Sequence, residues 1–329
     1  METMYVGIDV SKDTLDVVLR WEGENQHHQV FDNHERGISL LQKWLEQQRA
    51  ETVQVCLEAT GQYGDGVAER LYERGWGVSV VNPLCTKSYA RSRLKRNQTD
   101  KVDAGLLAEY CQKEQPRAWL PPSPLHKRLR ALSRRLDDLQ NMRQAERNRQ
   151  KAAKHLDPAI VSSLQSVIDL LTEQLAEIKQ TLFQLLDQDG ELKRQKQLLM
   201  SIPGIGQLTA VRFLSELGDL REFADARQLA AFLGLTPESK TSGSSVRSKP
   251  RLSKRGNAAV RKMLYMPAVS AKNANPIVRA FCDRLALARK CDMSLIGAAM
   301  HKLTHLMFGV VHSGLPFDPV YLKKTALPS

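Results

Sequence analysis

The sequence predicts a mixed α/β domain at its amino-terminal end, followed by regions built mainly of helices. Short apolar runs alternate with amphipathic segments over residues 1–120, which is typical of strands and helices that pack into one sheet domain. Leucines at steps of three and four over residues 121–195 indicate long helices, and residues 196–329 again carry helical patterns. We therefore predict three domains with these bounds.

The composition is that of a globular protein with a polyanionic partner. The 329 residues are 42% hydrophobic, and their net charge of +12 favours nucleic acid as the partner, with an anionic membrane surface as the alternative. The chain has no run of 18 apolar residues, and its five cysteines form no C-x-x-C pair. With no room for a signal peptide before the first strand, these features predict a cytoplasmic, nucleoid-associated protein.

Alternation of apolar and polar residues on both sides of a turn at residues 11–13 predicts a β-hairpin at the start of the sheet domain. The predicted elements are strands at 4–10, 14–20, 53–57 and 77–81, helices at 37–48, 67–74 and 99–111, and a glycine-rich turn at 61–66. Ligands of such sheets gather at the carboxyl ends of the strands.

Four carboxylates from separate predicted elements are expected to converge. Asp9 lies in the first strand, Glu58 ends the strand at 53–57, and Asp100 and Asp103 share one face of a helix because they are three residues apart. Converging like charges repel unless a cation lies between them, and oxygen ligands suit Mg²⁺, or Mn²⁺ in its place. The four acids predict a divalent-metal site for phosphodiester chemistry on nucleic acid.

A basic segment leads directly into the helix that carries Asp100 and Asp103. Residues 87–101 include Lys95 and Arg96, which we predict to guide a nucleic-acid strand beside the acids. The alternative is a solvated surface.

Two long helices are predicted in the central region, after prolines at 121, 122 and 124. A leucine seam over residues 164–185 fits a coiled coil, either as a hairpin within one chain or between chains. Residues 126–154 carry ten Lys or Arg against three Asp or Glu, which fits either an RNA- or DNA-facing helix or the solvated flank of a coiled coil.

Two features of the last region predict contact with nucleic acid. Residues 198–210 resemble a helix-hairpin-helix, in which Gly204 and Gly206 would let backbone N–H groups approach a phosphate; a tight turn between packed helices is the alternative. Between Glu238 and Asp283 the chain has ten Lys or Arg and no carboxylate, so the stretch 236–257 is either a basic binding loop or a flexible linker. The binding residues predicted in this loop are Lys240, Arg247, Lys249, Arg251, Lys254 and Arg255. From residue 258 on, helices are predicted with breaks at residues 267, 276 and 297.

Ser242 is a candidate nucleophile in the basic loop. A serine hydroxyl that a base or a metal ion activates can attack a phosphodiester and form a phosphoserine link, which conserves the energy needed to rejoin strands. The serines at 239, 244 and 245 compete with Ser242, and a solvated loop serine is the alternative.

Six motifs together resemble those of one transposase family. They are G-I-D-V-S-K at 7–12, L-E-A-T-G at 57–61, Q-T-D-K-V-D-A at 98–104, S-I-P-G-I-G at 201–206, G-L-T-P-E-S-K-T-S-G at 234–243 and K-R-G-N at 254–257. The chain is thereby similar to the insertion-sequence "one-ten" transposases, which are related to the Piv DNA invertases. It departs from the usual family pattern at Gln98, where a basic residue is common.

The resemblance implies a site-specific DNA recombinase whose amino-terminal domain is RNase H-like and similar to the RuvC resolvase. Asp9, Glu58, Asp100 and Asp103 match the DEDD metal-binding set, and Ser242 matches the nucleophilic serine of the carboxy-terminal transposase domain. The resemblance also implies target and donor DNA as substrates, a non-coding bridge RNA as guide, and dimers that pair into tetramers.

Three other functions compete with this one. A Holliday-junction-type nuclease would use the same four acids with water as the nucleophile. An actin-like ATPase would use Gly7-Ile8-Asp9 as a phosphate motif, but the sequence has no further glycine-rich adenosine motif. A non-catalytic architectural protein would need none of these acids.

Overall fold

The computed structural model describes residues 3–21, 26–59, 61–93, 99–153, 157–238, 241–242, 246–247, 251–287 and 292–320. The chain divides into two compact units, Met1–Pro122 and Ser123–Ser329. The further predicted boundary at residue 195 lies inside the second unit and stays a prediction.

The first unit is a five-stranded mixed sheet with helices on both faces, which confirms the predicted α/β domain. The strand order is β3-β2-β1-β4-β5; β1 is antiparallel to β2 and parallel to β4, β2 is antiparallel to β3, and β4 is parallel to β5. In chain order the elements are β1 (Thr3–Val10), β2 (Thr14–Arg20), β3 (Gln26–Asp32), α1 (Glu35–Gln47), β4 (Thr52–Glu58), α2 (Gln62–Glu73), β5 (Gly77–Val81), α3 (Pro83–Ser92) and α4 (Asp100–Glu114).

The two faces of this sheet are covered by different helices. Alternate β1 residues Met4, Val6 and Ile8 are fully buried in a core shared with apolar residues of α1 and α2. The opposite face is covered by α4, where Val18 of β2 packs with Ala104. Both faces are therefore closed over β1, the central strand.

The sequence prediction missed β3 and α3 and placed the start of α2 wrongly. The sequence of β3 is Gln-His-His-Gln-Val-Phe-Asp, which is too polar for its pattern to predict an edge strand. The glycine-rich segment 61–66 is not a turn throughout, because α2 begins at Gln62. Of its three glycines, Gly61 has the positive φ of 79° that favours glycine, whereas Gly64 and Gly66 lie within the helix.

The described part of the second unit is mainly helical, as predicted. Its longest helices, α5 and α6, pack against each other, and the side-chain contacts Arg143–Thr172 (3.4 Å) and Gln150–Gln165 (2.7 Å) show that they run in opposite directions. They thus form a hairpin within the chain. The helices are α5 (Pro124–Ala152), α6 (Pro158–Asp187), α7 (Gly190–Met200), α8 (Gln207–Leu217), α9 (Ala226–Phe232), α10 (Ala258–Ala274), α11 (Pro276–Leu287) and α12 (Asp292–Ser313).

Two of the three predicted helix breaks are wrong. α10 runs through Pro267, which is buried, although proline cannot donate the usual backbone hydrogen bond within a helix. α12 runs through Gly297, where the missing side chain lets the helix pass close to Leu252. The third break is confirmed, since α11 begins at Pro276.

α12 is the one described helix that is long and apolar enough to cross a membrane by length and composition. Leu303, Thr304 and Met307 of α12 are fully buried within the unit. This burial fits a core helix, which passes the same test.

Candidate active site

A glycine in β1 lets α4 lie directly on the sheet. A Cβ atom added to Gly7 would come within 1.9 Å of the Ala104 carbonyl oxygen and 2.3 Å of the Ala108 nitrogen. Asp9 lies two residues further along β1 and therefore on the same face. Asp100 and Asp103 lie in the first turn of α4, just before Ala104. The close contact thus brings the start of α4 to the end of β1.

The fourth acid comes from the neighbouring parallel strand. β1 and β4 pair with Gly7 opposite Cys56 and Ile8 opposite Leu57, so Asp9 and Glu58 follow at the adjacent carboxyl ends of the two strands. The alternation along β4 places Glu58 on the same face as Cys56, which packs with Leu107 of α4. Three elements therefore direct the four sequence-predicted acids to one edge of the sheet.

The pKa of Asp9 reflects the proximity of the other three acids. Its pKa is raised from 3.8 to about 6, first because the carboxyl is partly buried and then because of the charges of Asp100, Asp103, Glu58 and Asp16, in that order. Each of the three other predicted acids thus lies close enough to disfavour ionised Asp9.

The four acids share an electrostatic neighbourhood but do not form a closed ligand shell. Among the residues that the structure describes, no three acidic, histidine or cysteine side chains are clustered closely enough to hold a metal ion as they stand. The donor set nevertheless fits a hard divalent cation, because it consists of carboxylate oxygens whose mutual repulsion such a cation would relieve.

The start of α4 favours negative charge. Thr99 caps the helix by accepting a hydrogen bond from the Val102 backbone N–H at 3.3 Å. Asp100 and Asp103 follow in the first turn, where the partial positive charge of the helix terminus stabilises carboxylates. The amino-terminal end of α4 is therefore a favourable position for its two acids.

Asp16 is a neighbour of the acidic set that sequence reasoning missed. It lies directly opposite Asp9 on β2, and its carboxylate is bonded to the His28 ring at 2.8 Å. A turn at residues 11–13 would have paired residue 9 with residue 15, whereas the observed register is shifted by one and pairs it with residue 16.

Thr86 was also missed, and no signal in the sequence could have found it. Its hydroxyl donates a hydrogen bond to Glu58, and it can do so because α3 starts immediately after β5. The sequence analysis assigned no element to Thr86, which lies between the predicted strand at 77–81 and the basic segment at 87–101. Lys95 and Arg96, the residues predicted to guide a strand from that segment, lie outside the described residues.

The described residues of the basic stretch in the second unit pair as two short two-stranded sheets, which together are called the ribbon. β6 (Pro237–Glu238) pairs with β9 (Arg251–Leu252), and β7 (Thr241–Ser242) pairs with β8 (Val246–Arg247), all antiparallel. Ser242 lies opposite Val246 at the end of β7. The described part of the stretch thus has regular backbone pairing, unlike the flexible linker that was the alternative. The side chains of Ser242 and Arg247, together with Lys240 and Lys249, lie outside the described part of the chain.

The predicted basic residues at the base of the ribbon differ in their surroundings. Arg251 and Lys254 are exposed. Arg255 is exposed as well, but its guanidinium forms a 3.0 Å ion pair with Glu238. The last acid before the carboxylate-free stretch thus neutralises part of its positive charge.

The two glycines of the helix-hairpin-helix motif have different environments between α7 and α8. Gly204 has φ +104°, and an added Cβ would meet Ala271 of α10 at 2.7 Å, so the close packing of two segments accounts for this glycine. Gly206 is exposed at the start of α8, where no side chain caps the helix. Phosphate contact by either glycine stays a prediction.

Comparisons with known proteins match nearly the whole chain. A family model described as transposase, of the DEDD type of IS110, matches residues 6–160, and a model described as the transposase IS116/IS110/IS902 family matches residues 196–283. The chain is 32% identical over 321 residues to the pilin gene-inverting protein of Moraxella bovis, which covers 97% of this chain and 98% of that protein. The chain belongs to the IS110 family of transposases.

Other relatives of this IS110-family transposase are also named as gene-inverting proteins or transposases. The pilin gene-inverting protein of Moraxella lacunata is also 32% identical over 97% of the chain and 98% of that protein. The transposase for insertion sequence element IS1111A of Coxiella burnetii is 28% identical over 225 residues, 60% of this chain and 62% of that protein. The first family model spans all four acids, and the second spans the ribbon that bears Ser242.

Proposed function

We propose that this transposase is a site-specific recombinase of a mobile element that cuts and rejoins DNA through a phosphoserine intermediate with Mg²⁺ or Mn²⁺ assistance. The main observation in support of the proposal is that Asp100, Asp103 and Glu58 lie close enough to Asp9 to raise the pKa of Asp9. The DEDD family model and the relatives named transposase and gene-inverting protein support it.

The proposed fold of the catalytic domain is RNase H-like and similar to RuvC. The strand order β3-β2-β1-β4-β5, with three antiparallel strands followed by parallel β4 and β5, supports this assignment. The placement of acids at the carboxyl ends of β1 and β4 supports it further.

The chemistry follows from the groups that the chain supplies. The Ser242 oxygen forms a bond to phosphorus as the bond from phosphorus to the departing sugar oxygen breaks; the serine proton passes to a base and the departing oxygen takes up a proton. A divalent ion held by the four acids would neutralise phosphate charge and stabilise the departing oxygen. Reversal of this step with a different sugar hydroxyl rejoins the strands, because one P–O bond is exchanged for another.

The partners proposed for this activity are target and donor DNA, a bridge RNA and further copies of the chain. The net charge of +12 supports a polyanionic partner of either kind. The hairpin of α5 and α6 buries a seam that includes Leu136, Leu171 and Leu175, which supports a coiled coil within the chain. The pairing of further copies into a homotetramer is proposed from the family resemblance. A protein acting on chromosomal DNA is expected in the cytoplasm, at the nucleoid.

A trapped covalent adduct tests the proposal. The protein is incubated with Mg²⁺, bridge RNA and labelled target and donor DNA, denatured, and assayed for protein-bound label. Wild type should give an adduct at Ser242, identified by mass spectrometry, and recombined product. Ser242→Ala should abolish both while DNA binding persists, and Asp100→Asn should lose Mg²⁺-dependent cleavage.

Matched controls are Ser244→Ala and Ser245→Ala, which remove neighbouring hydroxyls of the same loop. Full recombination by Ser242→Ala overturns the assignment of Ser242 as the nucleophile, and loss of the adduct in one of the control variants assigns that role to its serine instead. Cleavage without any adduct, unaffected by Ser242→Ala but lost in Asp100→Asn, indicates instead the nuclease that uses water.

A further inference from the structure

We propose that Thr86 is a positioning residue that holds Glu58 in the orientation required for the divalent ion. This inference rests on the proposed metal site. Thr86 lies outside all six family motifs, in a segment whose helix the sequence did not predict.

Thr86 reaches Glu58 because of how the sheet continues into α3. Glu58 pairs with Val81 at the end of β5, and α3 begins two residues later, after the Asn82 cap. The first turn of α3 therefore lies beside the end of β4. Thr86, at the end of that turn, is 1% exposed, so its hydroxyl is almost fully shielded from water.

The Thr86 hydroxyl has one proton and two acceptors within reach. These are Oε1 of Glu58 and the Pro83 carbonyl oxygen, which is 3.0 Å away. The carboxylate is the stronger acceptor because it is charged. A hydrogen bond to Oε1 restrains one oxygen of the Glu58 carboxylate and leaves Oε2 as the oxygen that could bind an ion.

Glu58 needs such a contact more than the three aspartates do. A glutamate has one more rotatable bond than an aspartate, so it loses more conformational freedom when it binds an ion. A buried hydroxyl that restricts the carboxylate beforehand removes part of that cost. We therefore expect Thr86 to raise the affinity for the ion without touching the DNA.

The experiment is a Mn²⁺ titration of the full-length protein at constant pH. Binding is measured by calorimetry and, separately, by the electron paramagnetic resonance signal of free Mn²⁺. Wild type, Thr86→Val, Thr86→Ser and Asp9→Asn are compared. Thr86→Val should weaken Mn²⁺ binding about tenfold, Thr86→Ser should restore it, and Asp9→Asn should abolish it. Thr86→Ala, which also lacks the hydroxyl, replaces Thr86→Val if the latter does not fold.

Thr304→Val is the matched control. Thr304 is fully buried on α12 and its hydroxyl bonds to the Met300 carbonyl oxygen, so its loss removes a buried threonine hydroxyl far from the acids in sequence. It should leave Mn²⁺ affinity unchanged. Wild-type affinity in Thr86→Val, with binding still abolished in Asp9→Asn, overturns the role of Thr86 and leaves the metal site standing. Absence of Mn²⁺ binding in wild type overturns both.

Discussion

Gly7 of β1 and Ala104 of α4 are in direct backbone contact, since an added Cβ on Gly7 would lie 1.9 Å from the Ala104 carbonyl oxygen. A glycine is the residue that allows this approach, because the obstructing atoms belong to a helix backbone that cannot move locally. The contact sets how far Asp100 and Asp103 stand from Asp9.

Gly7→Ala should therefore force α4 away from the sheet. We expect the free energy of unfolding to fall by about 1–3 kcal/mol and Mn²⁺ binding to weaken, because two of the four acids move with α4. Chemical denaturation and Mn²⁺ titration measure the two effects. Gly66→Ala is the control: it lies inside α2 with no atom within 4 Å of the added Cβ, so stability should stay equal or rise slightly. Equal behaviour of the two variants would contradict the packing argument.

Ion binding should release a proton from Asp9. With a pKa of about 6, Asp9 is about half protonated at pH 6 in the ion-free protein, and it must ionise to bind a cation. Calorimetry in buffers of different ionisation enthalpy should therefore detect proton release at pH 6 and little at pH 8. Asp9→Asn, in which ion binding should be abolished, supplies the blank for the heat of dilution. A heat of binding that is independent of the buffer at pH 6 would contradict the raised pKa.

His126 should make the second unit less stable in acid. Burial, and then the charge of Arg130, lower its pKa from 6.5 to about 4. The unfolded chain therefore binds a proton more readily, so the stability contributed by neutral His126 is full above pH 6.5 and is lost as the pH falls toward 4. The loss should amount to about 2 kcal/mol, allowing for partial exposure of the ring.

Chemical denaturation of wild type and His126→Gln at pH 7, 5.5 and 4 measures this contribution. The difference in unfolding free energy between the two proteins should shrink as the pH falls. A difference that stays constant over this range would show that His126 does not titrate between the folded and unfolded states as described.

Glu238 should restrain DNA binding by Arg255. Because the two form an exposed ion pair at 3.0 Å, Glu238→Gln frees the guanidinium at a cost in stability below about 1 kcal/mol. DNA affinity at low salt should rise several-fold. The slope of log affinity against log salt concentration should become steeper by the amount that corresponds to about one additional phosphate contact.

Glu173→Gln controls for net charge, since it removes one exposed negative charge from α6 instead of from the ribbon. It should change DNA affinity less than Glu238→Gln does. Lys254→Ala, at an exposed position near the ribbon, should weaken binding and flatten the slope. Weaker binding by Glu238→Gln would contradict the proposed role of the ribbon.

The acids could be predicted from the sequence because each lies next to a strong local pattern. Asp9 and Glu58 lie in or at the end of apolar runs that predict buried strands, and the spacing of Asp100 and Asp103 predicts that they share one face of a helix. Thr86 could not be predicted, because its role depends on the pairing of Glu58 with Val81 and not on its own neighbours in the chain. The polar strand β3 carries no hydrophobic alternation strong enough to reveal it.

The breaks predicted at Pro267 and Gly297 failed for a related reason. Local propensity argues for interruption at both positions, whereas packing of the whole helical unit keeps α10 and α12 continuous. Local rules therefore located the acids but did not reveal where tertiary contacts override propensity.

The dispersal of the acids along the chain has a consequence for biosynthesis. A nascent polypeptide that has left the ribosome only as far as β5 already carries Asp9 and Glu58 but lacks α4 with its two aspartates. Its sheet would expose Val18 and Cys56, which α4 buries in the finished protein, and such apolar surface invites aggregation. Prematurely terminated translation products are therefore expected to be harmless to the chromosome and prone to degradation.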